Sequence, residues 1–203
     1  MIKWLFFDLG STLIDESECT RYRFLELLKQ ENAPSEEVLV YRMKENAKIN
    51  RLPYKDTAND FNLETIKWPT HLEKIYPEAP YVLDILAKKY NLGVIANQSL
   101  GTKKRLMKFG IAGYFDFIVS SAEAGFAKPD LKIFRLALKN AGCLPNESYM
   151  IGDRLDNDIV PAAKIGMKTI WVRQGEFADG NPELIEFKPN VVVNNICEIL
   201  EFL

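Results

Sequence analysis

Long apolar runs are missing from this chain. No stretch is long enough to cross a bilayer, and the first apolar segment, residues 4–7, meets an acid at Asp8. That segment is too short for a signal peptide or a membrane span, so a cytoplasmic protein with no membrane partner is expected. Cysteine is scarce. Cys19, Cys143 and Cys197 lie far apart, are odd in number and form no close pairing motif. This argues against a disulfide framework or a cysteine metal site and suits free thiols in a reducing compartment. Neither sign of charge is in excess: 26 Lys and Arg face 28 Asp and Glu along the whole length, for a net charge of -2. There is no basic stripe to bind nucleic acid and no acidic tail. His71 is the only histidine and reads as a solvated or packed residue rather than a catalyst.

What is present points to one compact core with a modest insertion. The 203 residues are 47% hydrophobic, enough to build a core without disulfides or a structural metal. Six short apolar runs, residues 4–7, 92–96, 117–119, 149–151, 169–172 and 191–193, read as strands. They are apolar throughout rather than alternating, as parallel strands covered on both faces are. Amphipathic stretches lie between them. In 131–141, Phe134, Ala137, Leu138 and Ala141 share a face, Asp130 can cap the start and Gly142 suits the exit. Residues 102–109 stop at Gly110, and 157–165 stop at Gly166 with Pro161 early in the turn. Strand and helix alternating in this way predict an α/β fold with a doubly wound, Rossmann-like parallel sheet.

One interval breaks the alternation. Residues 15–80 contain no convincing strand, only helical patterning over 21–30 and 36–48 followed by a polar stretch with Asn and Pro. The interval is far too long for a loop. It reads as an all-helical insertion after the first strand, which divides the chain into a core of 1–14 and 81–203 and an insertion of 15–80.

Ligands of doubly wound sheets bind beyond the carboxyl ends of the strands. Here those ends carry Asp8, Asn97, Ser120-Ser121 and Gly152-Asp153, with Lys128-Pro129 shortly after the third strand. The segment Phe7-Asp8-Leu9-Gly10-Ser11-Thr12-Leu13 resembles the first motif of haloacid dehalogenase-like hydrolases. Ala127-Lys128-Pro129-Asp130 resembles their third, and 151–158, Ile-Gly-Asp-Arg-Leu-Asp-Asn-Asp, resembles their fourth. Each motif alone is weak, but order and spacing agree, and the insertion falls where that family places a helical cap.

The resemblance implies a Mg²⁺-dependent phosphatase of small phosphorylated metabolites, acting as a monomer or homodimer. Asp8 would be the nucleophile and would form an aspartyl-phosphate. Asp8, Asp153 and the Gly10 carbonyl would hold Mg²⁺, with Asp158 ordering a water on the metal. Lys128 would bridge Asp8 and the phosphate, and the positive charge of both cations would offset repulsion between phosphate and carboxylate. Thr12, Asn97 and Ser99 are the further candidates for binding substrate, although Asn97 and Ser99 equally suit ordinary turns. Lys103-Lys104-Arg105 reads as a solvated helix face. Arg21, Arg23, Arg42, Lys48, Arg51 and Lys55 give the insertion positive charge that could meet an anion.

Two positions depart from the family pattern. Gly10 stands where the family usually has an Asp that protonates the leaving oxygen, and Ala96 stands where a phosphate-binding Thr or Ser is usual. Loss of a general acid typically costs about 10²–10⁴-fold in rate. Two alternatives therefore stay open: a catalytically degraded binding or regulatory protein, and a metal-independent 2-haloacid dehalogenase. The latter usually has Tyr in place of Gly10.

Overall fold

A computed structural model describes residues 1–175 and 180–203. Strand β1 (Trp4–Phe7) is followed by the two-residue β2 (Ile14–Asp15). Helices α1 (Ser17–Leu28), α2 (Glu36–Lys48) and α3 (Pro53–Asp60) come next, then β3 (Lys74–Ile75) and α4 (Ala79–Leu86). The remainder alternates: β4 (Asn91–Ala96), α5 (Thr102–Lys108), β5 (Phe117–Ser120), α6 (Ser121–Ala124), α7 (Leu131–Ala141), β6 (Ser148–Gly152), α8 (Val160–Lys164), β7 (Lys168–Val172) and β8 (Val191–Val193).

Six strands form one sheet in the order β5-β4-β1-β6-β7-β8, and every ladder in it is parallel. The chain leaves β1 toward β4 and β5, then crosses back to place β6 on the other side of β1. The connections after β1 and β6 therefore diverge, and a crevice opens between their carboxyl ends. This is the doubly wound sheet that the apolar runs predict.

Side chains alternate across it. Leu5, Phe7, Val94, Ile151 and Ile170 join a cluster with Val82 and Leu86 of α4 and Ile199 of the last turn. Phe6, Ile95, Val119 and Met150 face the opposite layer, against Ile133, Phe134 and Ala137 of α7 and Ala162 of α8. Each fully buried Leu, Ile or Phe in these layers contributes roughly 1.5–3 kcal/mol. Helix α7 has the expected ends: the Asp130 carboxylate accepts from Lys132 N at 2.9 Å, and Gly142 takes φ 59° at the exit.

The insertion has an apolar cluster of its own, built on Leu27, Leu39, Met43, Tyr54, Ala58 and Leu63. Three details differ from the sequence reading. Helix α3 forms in the polar stretch because Pro53 starts it and because its buried face includes Thr57, whose hydroxyl accepts from Asn46 Nδ2 at 3.0 Å. This buried polar pair takes the place of the apolar repeat that periodicity detects. Strands β2 and β3 pair antiparallel, Ile14 with Ile75 and Asp15 with Lys74, and so bracket the helices. Two residues are too few to show a period. The helix expected over 157–165 is divided into a wide turn, Leu155–Ile159, and α8. In that turn Ile159 N reaches Arg154 O, five residues back, at 3.2 Å.

Candidate active site

The crevice beyond β1 and β6 continues into a cleft of about 390 Å³ roofed by the insertion. Asp8, Gly10, Asn97, Lys128, Asp153 and Asp158 all line it. Asp8 follows β1 directly, and its backbone N–H extends the β1–β6 ladder by donating to Ile151 O at 2.8 Å. Asp153 follows β6 directly, and its carbonyl accepts from Trp171 Nε1 at 2.8 Å. Asp158 comes from the wide turn, which swings its side chain back beneath the sheet end.

Lys128 lies between two acids. Its Nζ is 2.6 Å from Asp8 Oδ1 and 2.5 Å from Asp158 Oδ1. The other oxygen of Asp158 accepts from Arg154 N at 3.0 Å. Asp158 is fully buried and Lys128 nearly so. Burial alone would lower the Lys128 ammonium, but Asp158 and Asp8 outweigh it and hold the lysine charged, above its ordinary range. Burial lifts Asp158 even with Lys128 opposing it, and burial followed by Asp158 and Asp8 lifts Asp153 well above the usual carboxylate range. Asp8, Asp153 and Asp158 each present an oxygen within 4.8 Å of the others. Three carboxylates against one ammonium leave negative charge in excess. An all-oxygen donor set of this kind suits a hard divalent cation and not a thiophilic one.

Gly152 makes this close approach possible. A Cβ there would stand 2.5 Å from the Asp158 carboxyl carbon and one of its oxygens. We expect Gly152→Ala to push Asp158 off Lys128 and to cost about 1–3 kcal/mol in urea unfolding, as overpacking does. Gly113→Ala, where a Cβ meets nothing within 4 Å, is the control and should stay within about 0.5 kcal/mol of the parent.

Two candidates for substrate binding lie elsewhere. Thr12 is fully buried behind the first turn and is not part of the cleft lining. Ser99 is also outside the lining; its hydroxyl accepts from Arg105 Nη1 at 2.7 Å and its carbonyl from Thr102 Oγ1 at 2.9 Å. It serves the start of α5. Asn97 lines the cleft, but both ends of its amide are occupied. Nδ2 donates to Lys128 O at 2.9 Å, and Oδ1 accepts from Lys128 N at 2.7 Å. Asn97 therefore clamps the backbone that carries Lys128, with one Nδ2 hydrogen used in that clamp and a second beyond it.

Arg105 corrects a second expectation. It is not part of a solvated face: it ion-pairs with buried Glu73 at 3.4 Å and also bonds Gln98. Of the cations on the insertion, Arg23 and Lys55 line the cleft. Arg42 and Arg51 pair with Asp60, and Lys48 pairs with Glu45. Arg23 stacks over the Tyr54 ring with its guanidinium carbon 3.6 Å from the centroid. Arg154 Nη2 donates to Arg51 O at 3.2 Å, which joins the wide turn to the insertion.

The sequence reading overlooked Glu16. It sits at the start of α1, lines the cleft and is pushed up to about 8 by burial, then by Asp8 and Glu73, against the pull of Arg23 and Arg105. Neither its type nor its spacing from Asp8 matches a motif, and only the packing shows it.

Residues 5–172 match the haloacid dehalogenase-like hydrolase family, and the chain belongs to that family. Several curated relatives carry phosphatase names. A glyceraldehyde 3-phosphate phosphatase of Methanothermobacter thermautotrophicus is 34% identical over 125 residues, which is 60% of this chain and 55% of that protein. The chain thus aligns with only about half the length of that relative. A protein of the same name from Pyrococcus furiosus is 27% identical over 100% of this chain and 93% of its own length. Among solved structures, a predicted phosphoglycolate phosphatase from Haemophilus somnus superposes with a TM-score of 0.72 at 19% identity, covering 99% of this chain and 97% of that one. At that identity the likeness speaks for the fold.

Proposed function

We propose that this chain is a Mg²⁺-dependent phosphatase of small phosphorylated metabolites, working through an aspartyl-phosphate on Asp8. The observation that carries the reading is the cluster in which Lys128 bridges Asp8 and Asp158 while the Asp153 carboxylate lies within 4.8 Å of both acids. The phosphatase names of the curated relatives support it.

Asp8 and Asp153 would hold Mg²⁺ together with the Gly10 carbonyl, while both oxygens of Asp158 are already engaged by Lys128 and Arg154. When bound, the ion neutralises phosphate charge and favours an anionic nucleophile. The residues of the chain do the rest. Lys128 holds Asp8 in one rotamer and presents positive charge where phosphoryl oxygens spread their charge. Asp8 then attacks phosphorus from a position fixed by the β1 ladder. Asp158 and Asn97 orient Lys128 from opposite sides, one at the ammonium and one at the backbone. The helical insertion, residues 15–80, acts as a cap that excludes water from the cleft, and Arg23 and Lys55 on it meet the anionic substrate.

A dehalogenase reading gains nothing from this site, because attack on carbon does not need three clustered acids. The test is phosphate release from a panel of phosphorylated metabolites with Mg²⁺ and after chelation. Release that disappears on chelation is expected. No release from any member, or release indifferent to chelation, overturns the reading.

A further inference from the structure

The space beside Gly10 is already occupied. A Cβ built on Gly10 would stand 2.6 Å from both carboxylate oxygens of Glu16 and 2.7 Å from its Cδ. The Glu16 carboxylate therefore lies where a side chain at position 10 would begin. Local folding brings it there. Ser11 takes φ 52°, Ser11 N donates to Ile14 O at 2.8 Å, and Gly10 bridges to Ile14. The chain doubles back on itself within five residues, and the first residue beyond β2 returns to the mouth of the cleft.

The charges of Arg23 and Arg105 act on the Glu16 carboxylate, but no bond to a structural partner holds it. No donor among the described residues hydrogen-bonds to it, although half-buried carboxylates are ordinarily bonded. It stands at the N-cap position of α1, but its side chain makes no capping bond to the first turn. It lines the same cleft as Asp8, Lys128 and Asp153. Position 10 is glycine, so nothing competes for that volume.

We propose that Glu16 is a catalytic residue, the proton donor and acceptor of this centre, acting from the volume that a side chain at position 10 would fill. The proposal rests on the reading of Asp8 as nucleophile. In the first step the Asp8 oxygen bonds to phosphorus and the ester P–O bond breaks. The departing oxygen takes the proton of the Glu16 carboxyl and leaves as an alcohol, so Glu16 becomes a carboxylate. In the second step water bonds to phosphorus through its oxygen and gives one proton to Glu16. The P–O bond to Asp8 breaks, inorganic phosphate leaves, and both carboxyl groups return to their starting state.

Glu16→Gln keeps the shape and removes the proton transfer. Two substrates separate the steps: glyceraldehyde 3-phosphate, an alkyl phosphate whose leaving oxygen needs a proton, and 4-nitrophenyl phosphate, whose leaving group does not. With the alkyl phosphate, steady-state turnover is expected to fall by about 10²–10⁴-fold with no burst. With the aryl phosphate, nitrophenolate should appear in a burst equal to the enzyme present, followed by slow turnover. Phosphorylated Asp8 should then accumulate and be visible by mass spectrometry. Gly10→Asp combined with Glu16→Ala moves the carboxyl to the other side of the same volume and should recover alkyl phosphate turnover. Wild-type turnover of the alkyl phosphate by Glu16→Gln overturns the proposal. So does an equal loss on both substrates without a burst, which is what a merely structural Glu16 would produce, and so does a natively folded double variant that recovers nothing. If phosphorylated Asp8 forms in neither wild type nor variant while wild type releases phosphate, the nucleophile assignment has failed, and this proposal falls with it.

Discussion

Asp8→Asn is expected to abolish Mg²⁺-dependent phosphate release while leaving the fold intact. The amide is nearly the size of the carboxylate but cannot attack phosphorus or bear the charge that binds the metal. Removing the nucleophile of a covalent hydrolase costs on the order of 10⁶-fold in kcat, and a loss of that scale is expected here. Stability should change little, because Lys128 keeps its 2.5 Å partner Asp158 and because Asp8 N still donates to Ile151 O. Phosphate release by the purified variant, measured beside its thermal unfolding, separates the two effects. Activity that survives in a folded Asp8→Asn protein would show that the nucleophile is some other group.

Lys128→Met should lose activity and stability together. Methionine fills most of the volume but leaves Asp158, fully buried, and Asp8 facing each other with no cation between them. Breaking a buried ion pair from one side typically costs about 3–5 kcal/mol, because the remaining charge is stranded. The pH dependence has a definite sign. In the parent, Asp158 and Asp8 raise the folded-state Lys128 above its ordinary 10.5. The stability it contributes is complete below pH 10.5 and disappears as pH climbs through the raised value. At the acid end the variant departs from the parent. Without the ammonium, Asp158, already raised by burial, is pushed further up in the folded state, so folding takes up protons and the variant gains stability as pH falls. The gap between parent and variant in urea unfolding should be wide at pH 8 and narrow at pH 5. A constant gap would mean that Lys128 acts by packing alone. Addition of Mg²⁺ should also narrow the gap, because a cation bound by Asp8 and Asp153 offsets part of the missing charge.

The layout of the core was legible because local rules produce it. Apolar runs such as 92–96 and 149–151 have no other use than strands covered on both faces, and Leu131–Ala141 carries its face, its Asp130 cap and its Gly142 stop within a dozen residues. Once the strands are placed, topology carries Asp8, Lys128 and Asp153 toward one crevice, since ligand sites of doubly wound sheets lie beyond the strand ends. Helix α3 was not legible in the same way, because its buried Thr57 pairs with Asn46 from a different helix. Nothing in either segment alone announces the other.

The sequence by itself determined the parallel sheet and the place of Asp8 and Asp153 at the carboxyl ends of two of its strands. Each follows from period, strand-end position or chain order, which are properties of short segments and their succession. Only the tertiary structure decided which polar side chains finish the site. It committed Asn97 to the Lys128 backbone, sent Ser99 to Arg105, paired Arg105 with Glu73 and brought Glu16 into the space beside Gly10. These outcomes depend on the directions and distances of side chains from elements far apart in the chain, or, for Glu16, on a turn with Ser11 at φ 52°. A difference of a few ångströms decides between a half-buried acid in the cleft and a solvated one on a helix, and no pattern of residue types encodes distances that small.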